Sequence, residues 1–166
     1  MRVIIALAVV AVVIGYAVLS GVWVSSSPGW YQSLEQPSWQ PPPWVFGLIW
    51  PYNFLALIVV GIAMATGAPV ARAWAYLGLL VLTAGLAVGW AYLFYVPHAL
   101  TIAAVVLSAA AVLTLPLTAL AFMGLSVIGR GWLGLLLIPY QVWLILAASL
   151  SWAYALNPSP GNAPLS

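Results

Sequence analysis

Long apolar runs, broken by short clusters of Gly, Pro, Ser and the few charged residues, set the pattern of this chain. Five runs stand out, at about residues 3–24, 43–66, 71–96, 99–127 and 132–156. Each reaches the roughly 20 residues a helix needs to cross about 30 Å of hydrocarbon. None alternates polar and apolar positions as a barrel strand would, and only a helix satisfies its own backbone in lipid. The breaks are Ser25-Ser26-Ser27-Pro28-Gly29, Gly67-Ala68-Pro69, Pro97-His98, Gly129-Arg130-Gly131 and Asn157-Pro158-Ser159-Pro160-Gly161, all turn chemistry. The pattern predicts an all-α integral membrane protein: a five-transmembrane-helix bundle forming one domain over residues 1–166, with one long loop at 25–42.

The end of that loop has its own character. Pro37-Ser38-Trp39-Gln40-Pro41-Pro42-Pro43-Trp44 leads into Val45-Phe46-Gly47-Leu48-Ile49-Trp50. Proline locks φ and lacks a donor, so residues 37–43 read as a rigid, extended segment. Pro43 falls where a helix can start without penalty. Pro51, Pro116 and Pro139 lie inside predicted spans, where each can kink its helix. Small residues such as Gly61, Ala65, Gly78, Gly85, Ala103, Ala104, Ala147 and Ala148 recur along the spans. They predict close helix packing, within the monomer or across a homodimer face.

Composition sharpens the picture. The 166 residues are 66% hydrophobic and 2% charged, against about 25% charged in a soluble domain. A lipid bilayer is the required partner. The net charge of +2 and the lack of a basic patch argue against nucleic acid. Without cysteine, no disulfide framework or thiolate metal site can form. With five spans, Arg2, Arg72 and Arg130 fall on one side, and Glu35 and His98 on the other. The positive-inside rule then puts the N-terminus in the cytoplasm and loop 25–42 outside, in the cell (inner) membrane. Arg2 and the first run also resemble a signal peptide, but the run is too long and no clear Ala-x-Ala site follows.

Catalytic chemistry has little to work with. Glu35 is the lone acidic side chain and His98 the lone imidazole, so neither a carboxylate pair nor a three-ligand metal site can be assembled. No ionisable Asp, Glu, Lys, Arg or His lies mid-span, which argues against ion conduction. Aromatics remain: 10 Trp and 8 Tyr. Trp23, Trp30, Trp39, Trp44, Trp90 and Trp152 fall toward the outer face, Trp74 and Trp132 toward the inner, as interfacial belts. Trp50, about 9 Å below Trp44 along a helix, and Trp143, near the middle of the fifth run, are too deep for a belt. Their indole N–H groups want partners, and Gln141, Asn53 and Ser149 are the polar candidates nearest in sequence. Either the two indoles pack in the core, or they line an aromatic pocket beneath the loop that takes a flat apolar ligand.

Two strings carry a resemblance. Trp30-Tyr31 followed by Pro37-x-Trp39-x-Pro41-Pro42-x-Trp44-Val45-Phe46-x-x-x-Trp50, and Pro139-Tyr140-x-x-Trp143 followed by Ala147, Leu150 and Leu156-Asn157, resemble the translocator protein/tryptophan-rich sensory protein (TspO/MBR) family over about residues 28–157. The resemblance implies a five-helix bundle, commonly dimeric, with a pocket under the first loop. It implies binding of tetrapyrroles such as protoporphyrin IX and haem, and in animal members of cholesterol and synthetic ligands. The expected ligand-binding residues are Tyr31, Trp39, Trp44, Trp50, Asn53, Trp90, Tyr140, Trp143 and Ala147. The resemblance implies no required cofactor, with porphyrin or haem expected as a ligand.

The match has departures. Ala87 stands where the family often has Asn, Thr83 where a Gln appears, Ser151 where Asn is common, and Gly47 where Pro is usual, with Pro51 four residues on. These make the expected pocket less polar. No basic residue follows Tyr154, so the sterol-type motif is missing from the fifth run; Arg72-x-x-x-Tyr76-x-x-Leu79 fits only the reversed pattern. The leading expectation is a membrane receptor or carrier for porphyrin-like or other flat, sterol-like hydrophobic molecules, with a sensory or transport role. The alternatives are light-dependent porphyrin degradation, which the resemblance implies for some bacterial members, and a non-catalytic scaffold.

Overall fold

The computed structural model describes residues 1–157. The chain runs α1 (Arg2–Val24), α2 (Pro28–Ser33), α3 (Pro43–Gly67), α4 (Val70–Tyr95), α5 (Leu100–Ser126), a 3-10 segment (Gly131–Leu137) and α6 (Ile138–Leu156). Five stretches are long and apolar enough to cross a membrane, the last combining the 3-10 segment with α6. No strand occurs among the described residues. Of the predicted closing turn 157–161, Pro158 to Gly161 lie outside the described residues.

The bundle is inverted in the sense that suits lipid. Leu48, Leu55, Ile102, Val105 and Val112 point outward, while the centre is built from small and medium residues including Ala56, Val60, Ala84, Ala104 and Ala110. Close approach replaces hydrophobic force as the adhesive. At the α1–α3 crossing, a Cβ on Gly61 would lie 2.4 Å from Val9 Cγ1, so only glycine allows that spacing.

Arginines tie the bundle at one end. The Arg2 guanidinium donates to the Ala65 and Ala68 carbonyls, both at 3.0 Å, and Arg72 donates to the Met123 carbonyl at 3.1 Å. Cations here meet carbonyls that the ends of α3 and α5 leave unpaired. In the next turn Gly129 takes φ +70. The Arg130 amide bonds the Leu125 carbonyl and the Gly129 amide bonds the Ser126 carbonyl, the paired bonds of a Schellman stop.

Two proline readings change. The fifth span does not run as one helix kinked at Pro139. It opens as a 3-10 segment over Gly131–Leu137, and Pro139 sits in the first turn of α6, where its missing donor costs nothing. The segment hugs α5 so closely that a Cβ on Gly134 would lie 2.9 Å from Phe122 backbone atoms. Residues 37–43 are not extended throughout: the Gln40 amide bonds the Pro37 carbonyl at 2.9 Å, making a turn at 37–40. Pro42 is extended, and Pro43 opens α3.

Candidate functional site

Under the long loop, at the end opposite the arginines, the bundle encloses a cavity of ≈ 290 Å³. Four long helices wall it. Tyr16, Ala17, Ser20, Gly21 and Val24 come from α1, and Phe46, Trp50 and Phe54 from α3. Ala87, Trp90, Phe94 and Tyr95 come from α4; Trp143, Ala147, Leu150, Ser151 and Tyr154 from α6. The loop adds Tyr31.

The aromatic rings brace one another. Trp50 meets Trp143 edge to face, centroids 6.3 Å apart and planes at 85°. Phe46 meets Trp143 at 5.0 Å, and Phe54 stacks beneath Trp50 at 5.6 Å. Tyr16 presents its edge to both Trp50 and Phe54, at 6.1 and 5.1 Å. Such contacts favour offset and T-shaped geometry because of the ring quadrupole. On the opposite wall, Trp90 Nε1 donates to the Ser151 hydroxyl at 3.2 Å.

The loop is held down by three contacts. Leu34 buries itself among Phe94, Tyr95, Leu100 and Tyr154. The Tyr154 hydroxyl donates to Gln40 Oε1. The Trp30 ring stacks on His98 in the α4–α5 turn. Tyr31 thereby lies against Tyr95 and Tyr154, centroids 5.6 and 6.1 Å away. The site carries no Asp, Glu, Lys, Arg or His in its wall. What it offers is π surface and a few hydroxyls.

The sequence matches the TspO/MBR family over residues 5–156. This chain belongs to the TspO/MBR family. It is 34% identical over 144 residues to Protein CrtK of Rhodobacter capsulatus, covering 84% of each chain. It is 32% identical over 132 residues to a tryptophan-rich sensory protein of Cereibacter sphaeroides, covering 77% of each.

Of the residues singled out from the sequence, this TspO/MBR bundle brings Tyr31, Trp50, Trp90, Trp143 and Ala147 to the cavity wall. Trp39 and Trp44 are 48% and 66% exposed and stand outside it; the turn at 37–40 carries Trp39 outward, and Trp44 lies on the outer side of α3. Asn53 and Tyr140 are fully buried but not in the wall. The polar partners expected for the deep indoles lie elsewhere. Gln141 donates to the Ala111 carbonyl at 3.0 Å, Ser149 to the Leu146 carbonyl, and Trp143 Nε1 is buried with no hydrogen-bond partner among the described residues.

Sequence reasoning misses the α1 wall. Its signal in a TspO/MBR sequence is the small-residue stripe Ala17, Ser20 and Gly21 beside a lone Tyr16, which helical spacing puts on one face. Ser151, a departure from the family pattern, is the acceptor that Trp90 uses.

Proposed function

We propose that this multi-pass membrane protein is a receptor or carrier that takes a flat hydrophobic ligand, porphyrin-like in character, into the aromatic cavity, with a sensory or transport role. One observation carries the reading: four helices converge their aromatic rings on a loop-covered cavity whose wall holds no charged side chain. A flat apolar molecule gains burial and ring contacts there without leaving a charge unpaired. The volume of ≈ 290 Å³ lies at the small end of the roughly 300–1,000 Å³ of ligand sites. A ligand of a few fused rings matches this volume, and a tetrapyrrole exceeds it. The relative named as a tryptophan-rich sensory protein supports the sensory role.

Titration of the purified protein with protoporphyrin IX, followed by tryptophan fluorescence, tests the cavity. Trp50→Ala with Trp143→Ala is expected to weaken binding at least about tenfold, the equivalent of about 1.4 kcal/mol. Unchanged affinity removes the site.

The orientation we infer has the arginine end in the cytoplasm and the loop outside the inner membrane, on the positive-inside rule. The chain lacks cysteine, so Gln32→Cys, at an exposed position of α2, is a clean probe. It is expected to react with an impermeant thiol reagent added to intact spheroplasts, while Val127→Cys, exposed at the opposite end, is expected to stay unlabelled. A homodimer is the assembly we infer from Gly78 and Gly85, small residues exposed on one face of α4, and light scattering in detergent with the detergent mass subtracted tests it.

A further inference from the structure

Beneath the aromatic cavity lies a second, polar layer. Phe46 and Trp50 both meet Trp143, which fixes the register of antiparallel α3 and α6. Three residues further from the loop on each helix stand Asn53 and Tyr140, about 4.5 Å deeper at 1.5 Å per residue. Tyr16 reaches the same level from α1, since its ring touches both Trp50 and Phe54. Its hydroxyl lies beside that of Tyr140. Three helices therefore send polar side chains to one level of the membrane interior.

All three residues are at most 2% exposed. Tyr16 Oη, Asn53 Nδ2, Asn53 Oδ1 and Tyr140 Oη have no hydrogen-bond partner outside this group among the described residues. Even if the neighbouring Tyr16 and Tyr140 hydroxyls paired with each other, both ends of the Asn53 carboxamide would remain. In hydrocarbon such groups are costly unless something bonds them, and Phe and Leu would build the same layer without that cost. Arg2, Glu35, Arg72 and Arg130 lie outside the span interiors, so the layer has no charge to offer a charged guest. Two hydroxyls and one carboxamide both donate and accept.

We propose that Tyr16, Asn53 and Tyr140 form a binding site for a neutral group that both donates and accepts hydrogen bonds. That group is water, or the hydroxyl of a hydrophobic ligand whose rings occupy the cavity above. The second source rests on the cavity reading; the first does not. Tyr16 belongs to both layers, its ring in the cavity wall and its hydroxyl in the polar site.

Two arms test this in the intact protein. Pulsed radiolytic footprinting detects held water, because hydroxyl radicals formed in place oxidise adjacent rings. Labelling of Tyr140 well above that of Phe94, which is buried in the wall of the cavity above, and its loss in Asn53→Leu, assigns the site to water. The second arm compares pyrene with 1-pyrenemethanol by tryptophan quenching. A preference of about five- to tenfold for the alcohol, the size of one hydrogen bond, that disappears in Tyr140→Phe assigns the site to a ligand hydroxyl. Labelling no higher than Phe94, together with equal affinities for the two pyrenes, overturns the site. If neither pyrene binds, the cavity reading fails, and the footprinting result alone decides the polar site.

Discussion

Trp30 and His98 stack face to face, their ring centroids 3.7 Å apart and their planes 14° from parallel. One ring belongs to the loop helix α2 and the other to the α4–α5 turn, so the contact closes the loop onto the bundle. His98 holds it from a backbone at φ +55, a conformation costly for most residues with a Cβ but better tolerated by His and Asn. His98→Ala keeps the strained backbone and loses the stack. It is expected to raise proteolytic cleavage or deuterium uptake within residues 25–42 severalfold, the size of a ring contact of about 0.5–1.5 kcal/mol. Tm is expected to change little, since the transmembrane core is untouched.

Gly61 sets the α1–α3 distance. Gly61→Ala puts a methyl 2.4 Å from Val9 Cγ1, and valine has little rotamer freedom with which to yield. Overpacking of this kind costs about 1–3 kcal/mol, so a clear fall in Tm in detergent is expected. Gly61→Ala combined with Val9→Ala is expected to recover much of it, because the second change removes the clashing methyls. Thermal melts of the two single variants and the double close the cycle.

Trp50 and Trp143 touch, so under the proposed cavity binding their contributions to affinity are not expected to be independent. In a double-mutant cycle with Phe replacements, the protoporphyrin affinity is expected to show a coupling of about 0.5–1.5 kcal/mol. Additive losses would mean that the two rings meet the ligand separately.

Proline substitutions separate two roles. Pro139 occupies the first turn of α6, and Pro139→Ala is expected to move stability by no more than about 0.5 kcal/mol. Pro116 lies inside α5, and Pro116→Ala restores a backbone donor in mid-helix. The second variant is expected to shift Tm several times more than the first, measured under identical detergent conditions.

The spans are legible in the sequence because the few charges and the Gly/Pro clusters fall only at their ends, and lipid leaves the chain no alternative to helix. What stays hidden depends on tertiary approach. The 3-10 start of the fifth span follows from Gly134 lying against the Phe122 backbone, which no local pattern records. Trp39 and Trp44 share the loop's composition with Tyr31, yet the turn at Pro37–Gln40 redirects the loop's path and only Tyr31 faces inward. Asn53 and Tyr140 sit close to Trp50 and Trp143 in sequence, but three residues along a helix is most of a turn in depth. The α1 wall is silent because a single Tyr16 in an apolar run reads as a span residue.

One helix stands apart. α5 packs along α4 and α6 and grips the 3-10 segment, yet it gives no side chain to the cavity wall. α5 thus serves the packing of the bundle alone, whereas the other four long helices both pack and line the proposed cavity. Sequence change along α5 is expected to retune how firmly the protein stands in a given membrane, colder or thicker, without altering the wall of that cavity.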